Sequence, residues 1–296
     1  MSRNNAVKDY AFIGTVMAAA LLGIMLILSS IKADSKETVA AETNRRILTI
    51  VNYHRICTDT NGLSDVVTPS AFESDLVTFR DYGFEPVSFS EVSDYCRGVG
   101  KLPDKPVIIV FEDGNYSVRE YALPLLEKHG FCAAVSVIGK AAVTAGEDAS
   151  PSSGSSFLDE DDLNFLLESG KIELISKSYD MAYESDERTG IMQNSTEDFK
   201  DYRRALLIDT FELQKLFKDK LNYISQVYAY PFGLTCGAAE AVIKMCGYDT
   251  TLILGEKPNI IRYGRPEDLR ELYRFDRRSE ETTSQFMDRI ISTAPI

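Results

Sequence analysis

From residue 47 onward, short apolar runs alternate with longer segments in which apolar residues recur every three or four positions. That is the pattern of repeated βα units around parallel strands. Ile47–Tyr53 reads as the first strand. Thr68 caps and Pro69 opens a helix running to Tyr82, with Gly83 just past its end. Val107–Phe111 is apolar throughout, which suits a strand covered on both faces, and a helix follows to His129 and Gly130. Cys132–Ile138 reads as a strand and Ala142–Ser156, rich in Ser, Gly and Ala, as a loop. Leu158–Ser169 reads as a helix whose acidic first turn suits its dipole. Ile172–Ile175, Val227–Tyr230 and Asp249–Leu254 add three strands. Glu197–Leu221 is the longest helix, with Phe199, Tyr202, Leu206, Leu213, Leu216 and Phe217 spaced to make one apolar face. About seven such units predict an α/β fold, a distorted (β/α) barrel rather than an open sheet.

Ahead of the barrel, Ala11–Ile31 holds no charged residue. At ~1.5 Å per residue it spans roughly 31 Å, one hydrocarbon core. The pattern predicts an uncleaved transmembrane helix, because a secretory leader has a shorter apolar core and Lys32 spoils the cleavage site. Residues 1–10 then form a cytoplasmic N-terminus, 11–31 the membrane anchor and 32–46 a polar linker. Residues 47–296 form a domain outside the cytoplasm, on a single-pass protein of the cell membrane. The Lys/Arg count on the two sides does not itself set this orientation, and large translocated domains escape that rule.

Composition narrows the partners. Asp plus Glu is 45 and Lys plus Arg 32, a net charge of −13, the wrong sign for coating phosphate backbones, so no nucleic-acid partner is expected. The five cysteines lack Cys-x-x-Cys spacing and read as small buried apolar residues rather than a disulfide framework or zinc site. Only two histidines occur. His54, at a strand end, is read as hydrogen-bonding locally, and His129, at a helix end, as serving the dipole.

In a parallel barrel, chemistry sits on the loops after the C-terminal strand ends. Three such places stand out: Glu112-Asp113-Gly114, Ser176-Lys177-Ser178-Tyr179-Asp180 and Tyr230-Pro231-Phe232-Gly233. Each is ordinary loop punctuation alone. At three strand ends together they point to one pocket.

At these residues the chain resembles the polysaccharide deacetylases, the NodB-homology domains of carbohydrate esterase family four, over nearly all of residues 47–291. The likeness runs through Asn52-Tyr53-His54-Arg55-Ile56, Thr68-Pro69 to Phe72 and Leu102-Pro103-Asp104-Lys105-Pro106. It continues through Phe111-Glu112-Asp113-Gly114, Ala229-Tyr230-Pro231-Phe232-Gly233 and Leu272-x-Arg274. It looks most like the membrane-anchored Gram-positive members. The resemblance implies a NodB-like barrel whose relatives remove acetyl groups from chitin-like, peptidoglycan or exopolysaccharide chains. It also implies a substrate-binding role for Tyr230, Pro231, Phe232 and Gly233.

The family's metal chemistry is broken in this sequence. Its Asp-Asp pair, base then metal ligand, falls on Glu112 and Asp113. Its two metal-binding histidines fall within Lys177-Ser178-Tyr179-Asp180-Met181-Ala182, where Lys177 and Ala182 stand instead. No histidine follows His129 to serve as the acid. Catalytic zinc is normally held by three protein ligands, and Asp113 alone cannot hold it. Lys177 repels a dication, but beside Glu112 and Asp113 its ammonium would offset two carboxylates that otherwise repel each other. Asp180 reads as a cap or local partner.

The first expectation is therefore a non-catalytic deacetylase homologue that needs no cofactor and uses the old groove to bind peptidoglycan or an exopolysaccharide. An active N-deacetylase with a rearranged site, using zinc or another divalent metal, is the alternative. A non-catalytic membrane scaffold is a third.

Overall fold

The computed structural model describes residues 44–58, 65–145 and 156–293. The expected anchor at 11–31 lies outside these. Among the described residues, no helix is long and apolar enough to cross a membrane.

Seven parallel strands form the staves of a closed barrel: β1 (Arg45–Tyr53), β2 (Pro106–Phe111), β3 (Ala133–Ile138), β4 (Ile172–Ser178), β5 (Val227–Ala229), β6 (Thr250–Leu254) and β7 (Leu272–Asp276). Each pairs with the next along the chain. The ring closes where Val51 of β1 meets Phe275 of β7. Two short strands, Glu85–Pro86 and Asn259–Arg262, extend the sheet beyond this ring. The register shifts between Val137 and Ile138 in the β3–β4 pair, a local distortion at the barrel's C-terminal rim.

Side chains alternate along a strand, and here that alternation divides the core in two. Val51, Tyr53, Ile109, Phe111, Val135 and Leu174 point outward, where they pack with helix residues such as Phe72, Leu76, Leu213 and Phe217. Leu48, Ile50, Ile108, Val110, Ala134, Ile175 and Leu272 belong to a separate cluster that fills the interior. Continuing each inward series by two residues reaches Asn52, Glu112, Ser136, Lys177 and Arg274, so the apolar filling gives way to polar groups at the C-terminal end.

The helices follow their local signals. Thr68 caps the Pro69–Asp81 helix by accepting from the Ala71 N–H at 3.2 Å. Asp159 and Asp162 form a capping box at the start of the Glu160–Glu168 helix. The long helix begins at Phe199, after Asp198, and ends at Leu221. Part of the stretch read as a loop, Ala142–Ser156, is helical: Gly139–Ala145 is a helix, and 146–155 lie outside the described residues. β1 begins at Arg45, two residues inside the segment read as linker. β7 and the Phe89–Cys96 helix stand where no element was assigned from the pattern.

The five cysteines are unpaired. Cys96 is buried, and burial pushes its thiol up to about 12. His129 ends the Leu123–His129 helix, and its Nε2 meets the Glu73 carboxylate at 2.8 Å.

Candidate functional site

The polar groups at the end of the barrel interior meet in one network. Glu112 immediately follows β2, and its N–H donates to the Tyr53 carbonyl at 2.8 Å, so the pairing with β1 carries on one residue past the strand. Its carboxylate is enclosed. Arg274 of β7 donates to Oε1 and Lys177 of β4 donates to Oε2. The Ser136 hydroxyl of β3 lies 3.4 Å from Oε2. Three staves thus converge on a carboxyl group carried by a fourth.

Asp113 turns away from the strand. Its φ is 65°, a left-handed conformation that Asp tolerates better than most residues, and Gly114 follows at 69°. This tight reversal lets the Asp113 N–H donate to the Ser136 Oγ at 3.1 Å and brings Oδ1 to the same Lys177 ammonium that Glu112 holds. One lysine therefore bridges both carboxylates, and its side chain is only 9% exposed. The family resemblance sets Lys177 where a metal-binding histidine stands, and its ammonium lies here between the two carboxylates.

The network is electrostatically costly to bury and is compensated by pairing. Burial pushes the Arg274 guanidinium down to about 10, with Asp276 pulling it upward, which still leaves it charged at neutral pH. His54 sits beside Asp276, with Nε2 at 3.8 Å from Oδ1. Burial lowers its pKa, against the upward pull of Asp276, so the imidazole is neutral at pH 7. Asn52 donates from Nδ2 to the same Asp276 Oδ1, 2.6 Å away.

A cavity of about 350 Å³ opens onto this network, with His54, Arg55, Asp65, Glu112, Asp113, Asn115 and Phe157 in its walls. Arg55 is engaged by Asp65, with Nη2 2.6 Å from Oδ2. Glu112 and Asp113 thus share the cavity with His54, which the sequence reading treated as a locally bonded strand-end residue.

Other residues singled out in the sequence lie elsewhere. Tyr230 is fully buried in a cluster with Tyr228 and Tyr248, and its hydroxyl is given to Glu240. Pro231 is buried as well. Both were expected to contact substrate, and neither side chain presents a surface. The turn instead displays Phe232, 43% exposed at a φ of 56°. Gly233 is required there, because a Cβ would fall 2.4 Å from the Leu254 backbone nitrogen. Asp180 is a surface partner of Lys140, at 2.7 Å. Its N–H and that of Tyr179 donate to Asp209 on the long helix, at 2.7 and 3.0 Å, which fixes the loop after β4. Ala182 is half-buried in that loop.

Arg274, Asp276, Asn52 and Phe157 were not among the site residues read from the sequence. The available signal was alternation: Arg274 lies two residues beyond the inward-facing Leu272, and Asn52 two beyond Ile50.

The donor set does not fit a catalytic divalent ion. Among the described residues, no group of three or more His, Cys, Asp or Glu side chains converges on one point. The two carboxylates that come nearest to such a group turn their oxygens to an ammonium, which has no lone pair to offer a metal.

The chain is thus a closed seven-stave βα barrel with an acidic pair at the end of its second stave. Residues 99–251, about half the chain, match the family model for polysaccharide deacetylase, and the chain belongs to that family. It is 24% identical over 208 residues to the poly-beta-1,6-N-acetyl-D-glucosamine N-deacetylase of Escherichia coli (strain K12), covering 62% of this chain and 30% of that relative. The chain therefore spans less than a third of that relative's length. Among solved structures, a de-N-acetylase from Aggregatibacter actinomycetemcomitans superposes with a TM-score of 0.72 at 18% identity, over 83% of this chain and all of that one. IcaB from Ammonifex degensii superposes with a TM-score of 0.68 at 20% identity, over 85% and 98% of the two chains. At these identities the superpositions speak to the fold.

Proposed function

We propose that this protein is a membrane-anchored, extracytoplasmic member of the polysaccharide deacetylase family that binds a cell-wall or secreted glycan without hydrolysing it. The observation that carries the reading is the Lys177 ammonium bridging Glu112 and Asp113. A deacetylase of this family needs an electrophile to polarise the amide carbonyl and lower the pKa of the attacking water. Lys177 is already engaged by two carboxylates, and Arg274 is held on the far oxygen of Glu112. Glu112 itself, in the base position, accepts hydrogen bonds from two cations and so is a poor proton acceptor. What remains is a cavity lined with charged and aromatic groups, in a family whose relatives handle polysaccharides.

The test is direct. The purified full-length chain is titrated with zinc, cobalt and nickel, and acetate release from N-acetylglucosamine oligomers is followed with each metal and with chelator. The expected result is no stoichiometric metal uptake and no acetate above background, with retention on insoluble glycan. Metal-dependent acetate release would establish the active N-deacetylase instead. The anchor is tested by fractionation: the full chain should sediment with membranes, and a chain lacking residues 1–46 should not.

A further inference from the structure

The long helix Phe199–Leu221 packs on the barrel through Tyr202, Leu206, Leu213 and Phe217, so its opposite face looks outward. At ~100° per residue, one stripe on that face runs through Lys200, Arg204, Leu207, Ile208, Phe211, Lys215 and Lys218. Its middle is apolar: Leu207, Ile208 and Phe211 are 41%, 49% and 58% exposed. Its two ends are basic, and none of the four cations has an ion-pair partner among the described residues. Nearby lysines do, Lys220 with Glu160 and Lys140 with Asp180. A chain of net charge −13 gains no solubility from four unmatched cations around three bare apolar side chains. The helix's exposed carboxylates, Asp201, Glu212 and Asp219, keep to one edge of the stripe. The other edge is apolar again, where the Arg203 guanidinium lies 5.8 Å from the centre of the Phe199 ring and 3.8 Å from the Met245 sulfur.

We propose that this face docks on an anionic phospholipid bilayer, with Leu207, Ile208 and Phe211 entering the headgroup layer and Lys200, Arg204, Lys215 and Lys218 meeting lipid phosphates. The inference rests on the anchored reading above, and the length of chain between anchor and barrel fits it. The proposed anchor ends at Ile31 and β1 begins at Arg45, which leaves residues 32–44, thirteen in all. Fully extended at ~3.5 Å each, they reach at most ~45 Å, so the barrel stays beside its own membrane. At that effective concentration, contacts that are weak one by one hold the domain down. In a βα barrel the helices lie alongside the strands, so docking by this helix lays the barrel axis along the bilayer. The cavity at the C-terminal strand ends then opens beside the membrane rather than away from it.

The sequence holds no tryptophan, so Phe211→Trp places a single reporter on the face. The full-length variant is reconstituted into vesicles of phosphatidylcholine alone or of an equimolar mixture with phosphatidylglycerol, with plain or brominated acyl chains. On the anionic vesicles the emission should shift to the blue and be quenched by bromine, with a docked-to-free ratio at least about tenfold above that on neutral ones. Lys200→Gln, Arg204→Gln, Lys215→Gln and Lys218→Gln together, checked for folding by circular dichroism, should remove that gain. Val77→Trp, exposed on the Pro69–Asp81 helix, should stay unquenched on both. The proposal is overturned by no quenching, by equal quenching on neutral and anionic vesicles, by quenching that survives the four glutamines, or by equal quenching of Val77→Trp. It is also overturned if the blue shift grows with protein concentration in neutral detergent, which assigns the face to a second copy, or if soluble polygalacturonate produces it without lipid. Failure of the anchor reads out separately, as a chain that does not float with neutral vesicles, and quenching on the anionic ones then decides docking by itself.

Discussion

Arg274→Met probes whether the site is a compensated charge network. The guanidinium is 1% exposed and its Glu112 partner 3%. Without Arg274, the single positive charge of Lys177 serves two carboxylates, Glu112 and Asp113, the first of them shut away from water. Breaking a buried pair on one side costs ~3–5 kcal/mol, because the surviving charge stays desolvated. Glu112→Leu makes the mirror-image lesion by stranding Arg274, and should cost a similar ~3–5 kcal/mol. In a domain of this size each kcal/mol moves the midpoint by ~2–4 °C, so each single variant should melt roughly 6–20 °C lower.

The double variant Glu112→Leu/Arg274→Met behaves differently if the network is real. It removes one charge of each sign, leaves Lys177 paired with Asp113, and puts apolar side chains of similar length beside Val110 and Leu272. Such replacements are often neutral or stabilising. The expected melt lies within ~4 °C of the parent, about a single kcal/mol. Thermal unfolding by circular dichroism on the full chain, repeated in urea, gives the coupling energy. Additive losses, with the double variant falling as far as both singles together, would refute the argument.

Lys177→His with Ala182→His rebuilds two lone-pair donors beside Asp113 and should bind zinc or nickel at least about tenfold tighter than the parent by calorimetry, a gain of ~1.4 kcal/mol. Unchanged affinity in a folded variant would mean that the loop after β4 has been aligned wrongly. Asp75 is fully buried, paired with Arg277 at 2.8 Å, and accepts from Tyr53 and Thr283. Asp75→Ala should destabilise by ~3–5 kcal/mol, read as a shift in urea midpoint without loss of slope. Glu173 has its pKa raised, chiefly by burial and against the N–H groups of Phe89 and Ser90 that it accepts. A carboxyl raised on folding favours the native state at pH below its unfolded value, and loses that contribution as pH rises through the raised value. The stability of the parent minus that of Glu173→Gln should therefore fall as pH rises through that window, and a flat or rising difference would contradict it.

The strands that were legible are those whose two faces are both apolar. β2 is PVIIVF, buried at every position, and cannot be mistaken. β7 is LYRFD, and its inward-facing Arg274 and terminal Asp276 break the run, so the stave that carries Arg274 was not seen. The Phe89–Cys96 helix was missed for length, since eight residues with Phe89, Val92 and Cys96 inward show barely two turns of period. Lys177 was legible through the family resemblance, which sets it where a histidine ligand stands, next to two carboxylates that repel each other without a counter-ion. Tyr230 was not, because residue type alone does not tell a ring that packs against Tyr228 from one that faces a ligand.

Charge balance also keeps the barrel intact with this donor set. Glu112 and Asp113 carry two negative charges, and Lys177 and Arg274 bring two positive ones on tethered side chains. The formal charge that a divalent ion would contribute is thus divided between β4 and β7, which lie on different parts of the barrel wall. Their long side chains reach across the interior to opposite oxygens of Glu112, so the ion pairs also tie separate staves together at the end where the apolar filling stops. A metal could leave with a chelator, whereas these cations cannot. The protein should therefore keep its thermal midpoint in EDTA, and the site should present a ligand with a fixed surface of carboxylates rather than an exchangeable Lewis acid.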